Sequence, residues 1–132
     1  MQVKGYGATS AEVPVAPIVF ERREVGPHDI QIDIEYCGVC HSDLHMARND
    51  WGFSQYPVVP GHEIVGRVRS IGAKVTKYQI GDLVGIGCMV DSCRVCAACQ
   101  KNLEQYCEDG HTLTYGSIDR IDQRMTYGGY SQ

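Results

Sequence analysis

Four cysteines, Cys93, Cys96, Cys99 and Cys107, constrain this chain more than any other feature. Their spacing, C-x2-C-x2-C-x7-C, lets two tight turns and one short loop gather four thiolates around a tetrahedral zinc ion. A shell of four thiolates has no open position for water or substrate, so the expected role is structural: the metal fixes a lobe in place. Closely spaced Cys-x-x-Cys-x-x-Cys also occurs in iron–sulfur sites. Here Glu108 rather than proline follows the fourth cysteine and no second set exists, which favours zinc and leaves iron as the alternative. Disulfides are the other use of cysteine. An odd total of seven, tight Cys-x-x-Cys spacing and no export signal favour metal ligation in a reducing compartment. From Cys88 to Gly110 the apolar periodicity fades, as expected of a segment held by metal rather than by burial.

A chain of 132 residues has room for one core, so residues 1–132 are expected to form one domain. The net charge of −4, with basic residues scattered singly, offers no stripe to neutralise phosphates or anionic lipid, so neither nucleic acid nor a membrane surface is an expected partner. Residues 1–13 lack the apolar run of a signal peptide, and no segment is long enough to cross a bilayer as a helix. A cytoplasmic protein is the expectation.

Strict alternation from Ile30 to Tyr36 marks the clearest strand, with one face toward a core. Weaker strand patterns cover 18–25, 63–71 and 83–86, separated by turn signals at Gly26-Pro27, Gly72 and Gly81-Asp82. A turn or two of helix is expected over 41–48, capped by Ser42 or Asp43 and broken by Pro57 and Pro60. Residues 115–124 read as loop, and 125–132 as the start of a strand.

A second group of candidate ligands is spread over Cys40, His62 and Glu63. Sulfur, nitrogen and oxygen from three side chains make an incomplete set, which is what a catalytic zinc with an exchangeable position requires. Ser42 and His45 then gain a role: a hydroxyl beside the metal can take a substrate proton and pass it to an imidazole near the surface. Asp43 could orient His62 from behind. Simpler readings stand beside these. Cys37 and Cys40 could be a redox pair, although the βαβ setting of such motifs is missing. Ser42 and Asp43 could be helix caps only, His45 a solvated surface residue, and Trp51 plain core.

Taken together, the runs Tyr36 to His45 and Tyr56 to Glu63 and the four-cysteine lobe resemble the zinc-dependent medium-chain alcohol dehydrogenases. Gly87-Cys88, Ser92-Cys93, residues 103–107 and residues 128–131 are most similar to the cinnamyl-alcohol-dehydrogenase-type aldehyde reductases within that family. The resemblance implies a mainly β, GroES-like, partly open barrel with short helices and a zinc lobe. It also implies an enzyme interconverting alcohols and aldehydes with NADP(H), carrying one structural and one catalytic zinc. Carried over by residue, it makes Cys40, His62 and Glu63 the catalytic-zinc set and Cys93, Cys96, Cys99 and Cys107 the structural one. Ser42 becomes the proton acceptor, His45 the outer member of the relay and Asp43 the partner of His62. His41 falls at a position facing cofactor phosphate and Trp51 near the substrate pocket, while Cys88 matches a cysteine that is not a ligand.

The family's third protein ligand to the catalytic zinc and its cofactor-binding domain are expected to lie beyond Gln132. No G-x-G-x-x-G fingerprint occurs within these residues. The isolated segment is therefore expected to be inactive, and pairing of subunits to require the complete enzyme. The rival reading is a non-catalytic zinc module whose metals only hold it together. Retention of Cys40, Ser42, His45, His62 and Glu63 argues against it.

Overall fold

The computed structural model describes all residues, Met1–Gln132. Its elements are β1 (Gln2–Gly7), β2 (Ala16–Glu21), β3 (Ile30–Gly38), α1 (His41–Arg48), β4 (Glu63–Ile71), β5 (Leu83–Ile86), β6 (Met89–Asp91) and β7 (Thr112–Leu113), with single 3-10 turns at Cys99–Lys101 and Glu104–Tyr106. The fold is mainly β, as expected, and the barrel is open. Strands β1-β2, β3-β4-β5 and β6-β7 form three separate antiparallel sheets, joined by single bridges such as Ala8 to Val58.

The alternating strand over 30–36 appears as β3 and runs two residues further, to Gly38. Its isoleucines do not pack onto a filled core. Ile30, Ile32 and Ile34 stay half-buried and line an open cavity of about 640 Å³. Strand β4 buries alternate residues more completely, with Ile64 and Val68 in the interior. The 18–25 expectation is displaced, since β2 starts at Ala16 and ends at Glu21. The next residue, Arg22, turns its guanidinium onto the carbonyls of Tyr127 and Gly128 and the Ser131 hydroxyl.

The expectations for α1 and for the C-terminal stretch are corrected in part. Cys40 is the N-cap of α1, and of the two expected capping residues Asp43 takes the role, accepting the Cys40 N–H at 2.9 Å from the first turn as half of a capping box, while Ser42 does not. The helix ends at Arg48, where Asn49 adopts a left-handed conformation and its side chain accepts the Ser54 N–H, well before either proline. Residues 125–132 form no strand. They are clamped between β1 and the 59–61 segment by Tyr6 N–H to Tyr130 O, Gln132 N–H to Lys4 O, Gly128 N–H to Val59 O and Tyr130 N–H to Pro60 O. With 24 of 132 residues buried, the apolar core is small and divided. Ala8, Met46, Ala47, Val58 and Tyr115 form one cluster under α1, and Val3, Phe20 and Val59 form another.

Candidate metal centres

Sequence dictates the lobe geometry almost by itself. Turns around Cys93 and Cys96, a 3-10 turn at Cys99 and a return at Cys107 bring all four sulfurs within 4.8 Å of one another. The Cys93 and Cys99 sulfurs are 3.9 Å apart, close to the edge of about 3.8 Å for a tetrahedron with Zn–S bonds of about 2.3 Å and far too long for a disulfide of about 2.05 Å. Backbone N–H groups point at the sulfurs: Cys96 N–H at Cys93, Cys93 N–H at Cys107 and Glu108 N–H at Cys96, at 3.3 to 3.5 Å. Such donors favour thiolate. The Cys96 thiol is accordingly lowered to about 6 by the backbone N–H groups of Cys99 and Glu108, and Cys107 is lowered by the N–H of Cys93. The Cys99 thiol goes the other way, up to about 11: the Ser92 hydroxyl lowers it, but burial and its hydrogen bond with Cys96 raise it more. Four cysteine sulfurs this close, two of them lowered toward thiolate, fit a zinc ion, which would displace the remaining protons.

The second group is assembled by β-pairing rather than by local turns. Strand β3 pairs with β4 so that Gly38 faces Glu63 and Cys37 faces Ile64. Cys40, just past the end of β3, and His62, just before β4, therefore emerge at the same end of the sheet. Cys40, His62 and Glu63 place one ligand atom each within 4.8 Å of one another. Two glycines allow this. A Cβ on Gly38 would overlap the Glu63 carboxylate. Gly61 has φ +101° and a Cβ there would meet the Cys37 sulfur and the Gly129 nitrogen, so a side chain is excluded by both conformation and space. A sulfur, an imidazole and a carboxylate are donors suited to zinc.

Asp43 lies beneath this group and is almost fully buried. Its carboxylate accepts the N–H of Cys40 at 2.9 Å, the N–H of Gly61 at 3.0 Å and the hydroxyl of Tyr130 at 2.8 Å. Burial works against its charge, but these donors, with the Tyr115 hydroxyl, hold its carboxyl below the ordinary range. Burial and then the nearby carboxylate push the Tyr115 and Tyr130 hydroxyls up, so both remain donors. His62 Nδ1 is 3.7 Å from Asp43 Oδ1, an electrostatic contact longer than a hydrogen bond. It leaves Nε2 free for a metal.

The remaining candidates lie along α1 and just beyond it. The Ser42 hydroxyl is 3.6 Å from the Cys40 sulfur. His45 is partly exposed, and its Nδ1 is 2.8 Å from Asp50 Oδ2, a partner that the sequence reading missed because no motif marks it. The Trp51 ring lies 5.1 Å from His45 and 5.8 Å from Phe53, forming an exposed aromatic wall rather than core. His41 is exposed at the first turn of α1, 6.0 Å ring to ring from His45. Cys37 and Cys40 are both free thiols, and Cys88 is exposed and outside both groups. Tyr115 and Tyr130 were also missed. They contact Asp43 from 72 and 87 residues away, a separation no local pattern reveals.

This chain belongs to the alcohol dehydrogenase GroES-like domain family, whose profile matches residues 26–132. Among individual relatives it is 54% identical over its whole length to aldehyde reductase YahK of Escherichia coli, covering 38% of that protein. It is 52% identical over 98% of its length to NADP-dependent alcohol dehydrogenase C of Mycobacterium bovis, covering 37% of it. A cinnamyl alcohol dehydrogenase of Sorghum bicolor superposes with a TM-score of 0.96 at 43% identity, over 100% of this chain and 37% of that one. The corresponding enzyme of Helicobacter pylori, solved with NADP(H), gives 0.92 at 42%, over 99% and 38%. The chain thus spans little more than a third of the length of these relatives. No helix in it is long and apolar enough to cross a membrane.

Proposed function

We propose that residues 1–132 form one GroES-like unit that supplies the metal-binding part of an NADP(H)-dependent alcohol dehydrogenase or aldehyde reductase. Its substrates would be small alcohols and aldehydes, in keeping with the relatives' names. The observation that carries this reading is the presence of two different ligand groups in one small chain. One is a complete four-thiolate set, and the other, Cys40, His62 and Glu63, is short of a full shell. The first suits a structural zinc, the second a catalytic one.

When bound at the second group, zinc supplies Lewis-acid polarisation of a substrate oxygen. The chain's own residues do the rest. Asp43 holds the turn between α1 and Gly61 so that Cys40 and His62 keep a fixed separation. The Ser42 hydroxyl, next to the Cys40 sulfur, takes a proton from a substrate hydroxyl and hands it to His45, which is open to solvent. Asp50 accepts the Nδ1 proton of His45 and so sets which ring nitrogen faces inward. Trp51 and Phe53 offer an apolar wall for the substrate's carbon chain. His41, exposed on the same turn, is the candidate contact for a cofactor phosphate.

The test is metal analysis of the purified chain. The expected result is two zinc ions, one resisting chelation and lost in Cys99→Ser, the other stripped readily and lost in Cys40→Ser. A single zinc that survives Cys40→Ser, or iron in the lobe, would overturn the assignment.

A further inference from the structure

One contact at the second group has no part in the proton path or in the ligand set. The Tyr115 ring lies against the His62 imidazole with centroids 5.5 Å apart and planes only 9° from parallel. His62 is otherwise restrained through its ring by a single polar contact, the 3.7 Å approach of Nδ1 to Asp43. A contact of that length fixes direction weakly, since hydrogen-bond geometry is lost beyond about 3.5 Å. An imidazole free to rotate about its terminal bond would carry its ligand nitrogen away from Cys40 and Glu63. The flat face of Tyr115 blocks that rotation. Tyr115 is itself rigid, being 5% exposed and packed with Ala8, Met46, Ala47 and Val58.

We propose that Tyr115 is a positioning residue for the second metal centre: its ring, stacked on His62 and anchored in the core under α1, holds the imidazole in the plane from which it can ligate together with Cys40 and Glu63. The inference rests on the reading of Cys40, His62 and Glu63 as a metal site and adds the group that orients its nitrogen ligand.

The experiment measures Co2+ affinity at the second site of the full chain, with the lobe first filled by one equivalent of zinc. Titration follows the thiolate-to-cobalt absorption band against a competing chelator. Groups that orient a ligand from behind typically change metal affinity by about tenfold or more when removed. Tyr115→Leu keeps apolar bulk but loses the stacking face, and is expected to weaken Co2+ binding on the order of tenfold. Tyr115→Phe keeps the face and should bind close to wild type, which makes it the conservative rescue. Val3→Ala removes bulk from the other apolar cluster, which does not contain Tyr115; it should lower the melting temperature yet leave Co2+ affinity unchanged. Wild-type affinity in Tyr115→Leu overturns the proposal, as does an equal loss in Tyr115→Phe or in Val3→Ala, because the ring face would then not be the cause. Failure of the underlying site is recognised separately. In that case the wild-type chain takes up no cobalt beyond the lobe, or His62→Ala and Cys40→Ser leave its uptake unaltered.

Discussion

Replacing Asp43 tests the reasoning about the second centre most severely, because one buried carboxylate satisfies four donors on four segments. Asp43→Ala leaves the N–H groups of Cys40 and Gly61 and the hydroxyls of Tyr130 and Tyr115 without their acceptor. Each stranded buried donor costs about 1–3 kcal/mol. The tyrosine hydroxyls can turn elsewhere, and relief of the buried charge offsets part of the loss, so a net destabilisation of about 3 kcal/mol is expected, counting the two amides at about 1.5 kcal/mol each. That is a large share of the roughly 5–15 kcal/mol available to a domain. Asp43→Asn keeps one acceptor oxygen but sets an NH2 group against a donor, and should lose about half as much, roughly 1–2 kcal/mol. Urea unfolding of the zinc-loaded proteins measures both. Because Asp43 also keeps Cys40 and His62 in place, weaker metal affinity adds a loss through linkage that grows with free zinc, so the difference is taken at two free-zinc concentrations and the donor share is read at the lower one. A loss below about 1 kcal/mol for Asp43→Ala, or equal losses for the two variants, would refute the claim that donor satisfaction is what Asp43 supplies.

The lobe makes a sharper compositional prediction: Cys96→Ser with Cys99→Ser lowers zinc content by one ion per chain by elemental analysis, and unchanged zinc would remove the four-thiolate assignment. In a complete enzyme containing this segment, Ser42→Ala should cut turnover by roughly a hundredfold with metal content unaltered, and normal alcohol oxidation would sink the proton path. The Asp29 carboxyl, held low chiefly by its hydrogen bond to Arg23, gives a pH prediction. A depressed carboxyl contributes stability above its unfolded pKa of about 3.9 and loses it as pH falls through the lower folded value. The melting-temperature gap between wild type and Asp29→Asn should therefore be full at neutral pH and close below about pH 4; a gap that widens in acid contradicts the pairing.

Legibility followed how locally each feature is encoded. Strand β4 was readable at its full span from a weaker strand pattern closed by the turn signal at Gly72, and strict alternation marked β3. Strand β1 was not, since two of its three buried positions, Gly5 and Gly7, are glycines and carry no hydropathy signal. The C-terminal stretch 125–132 read as the start of a strand, yet its backbone bonds are divided between β1 and the 59–61 segment, which a one-dimensional pattern cannot show. Cys93, Cys96, Cys99 and Cys107 announce their proximity by spacing. The nearness of Cys40 to His62 is not in the spacing of 22 residues; it needed the family resemblance, and in the structure it comes from the pairing of Gly38 with Glu63. Asp50, Tyr115 and Tyr130 stayed invisible because each acts through contacts that only the fold makes.

That difference in encoding has a physical consequence for how the two centres depend on the rest of the chain. The lobe's ligands fall within 15 residues, so closing the loops around a metal costs little entropy and needs no sheet. Metal binding can then organise a segment that has hardly any core of its own, where Cys99 is the one buried ligand. The second centre reverses the dependence. Cys40 and His62 are brought together only when β3 and β4 pair in the observed register, when Gly61 takes its positive φ and when Asp43 joins the first turn of α1 to the Gly61 amide. A slip of the β3-β4 register by one residue would turn every side chain on one strand to the opposite face and separate the ligands. The β-bulges at Gln31/Ile32 and Ile34/Tyr36 resist such a slip by fixing the two-against-one matches between the strands. On the proposed reading the fold supports the second centre, while a bound metal would support the lobe; a site proposed to keep an exchangeable position could not rely on a full ligand shell for its shape, and would take it from the sheet instead.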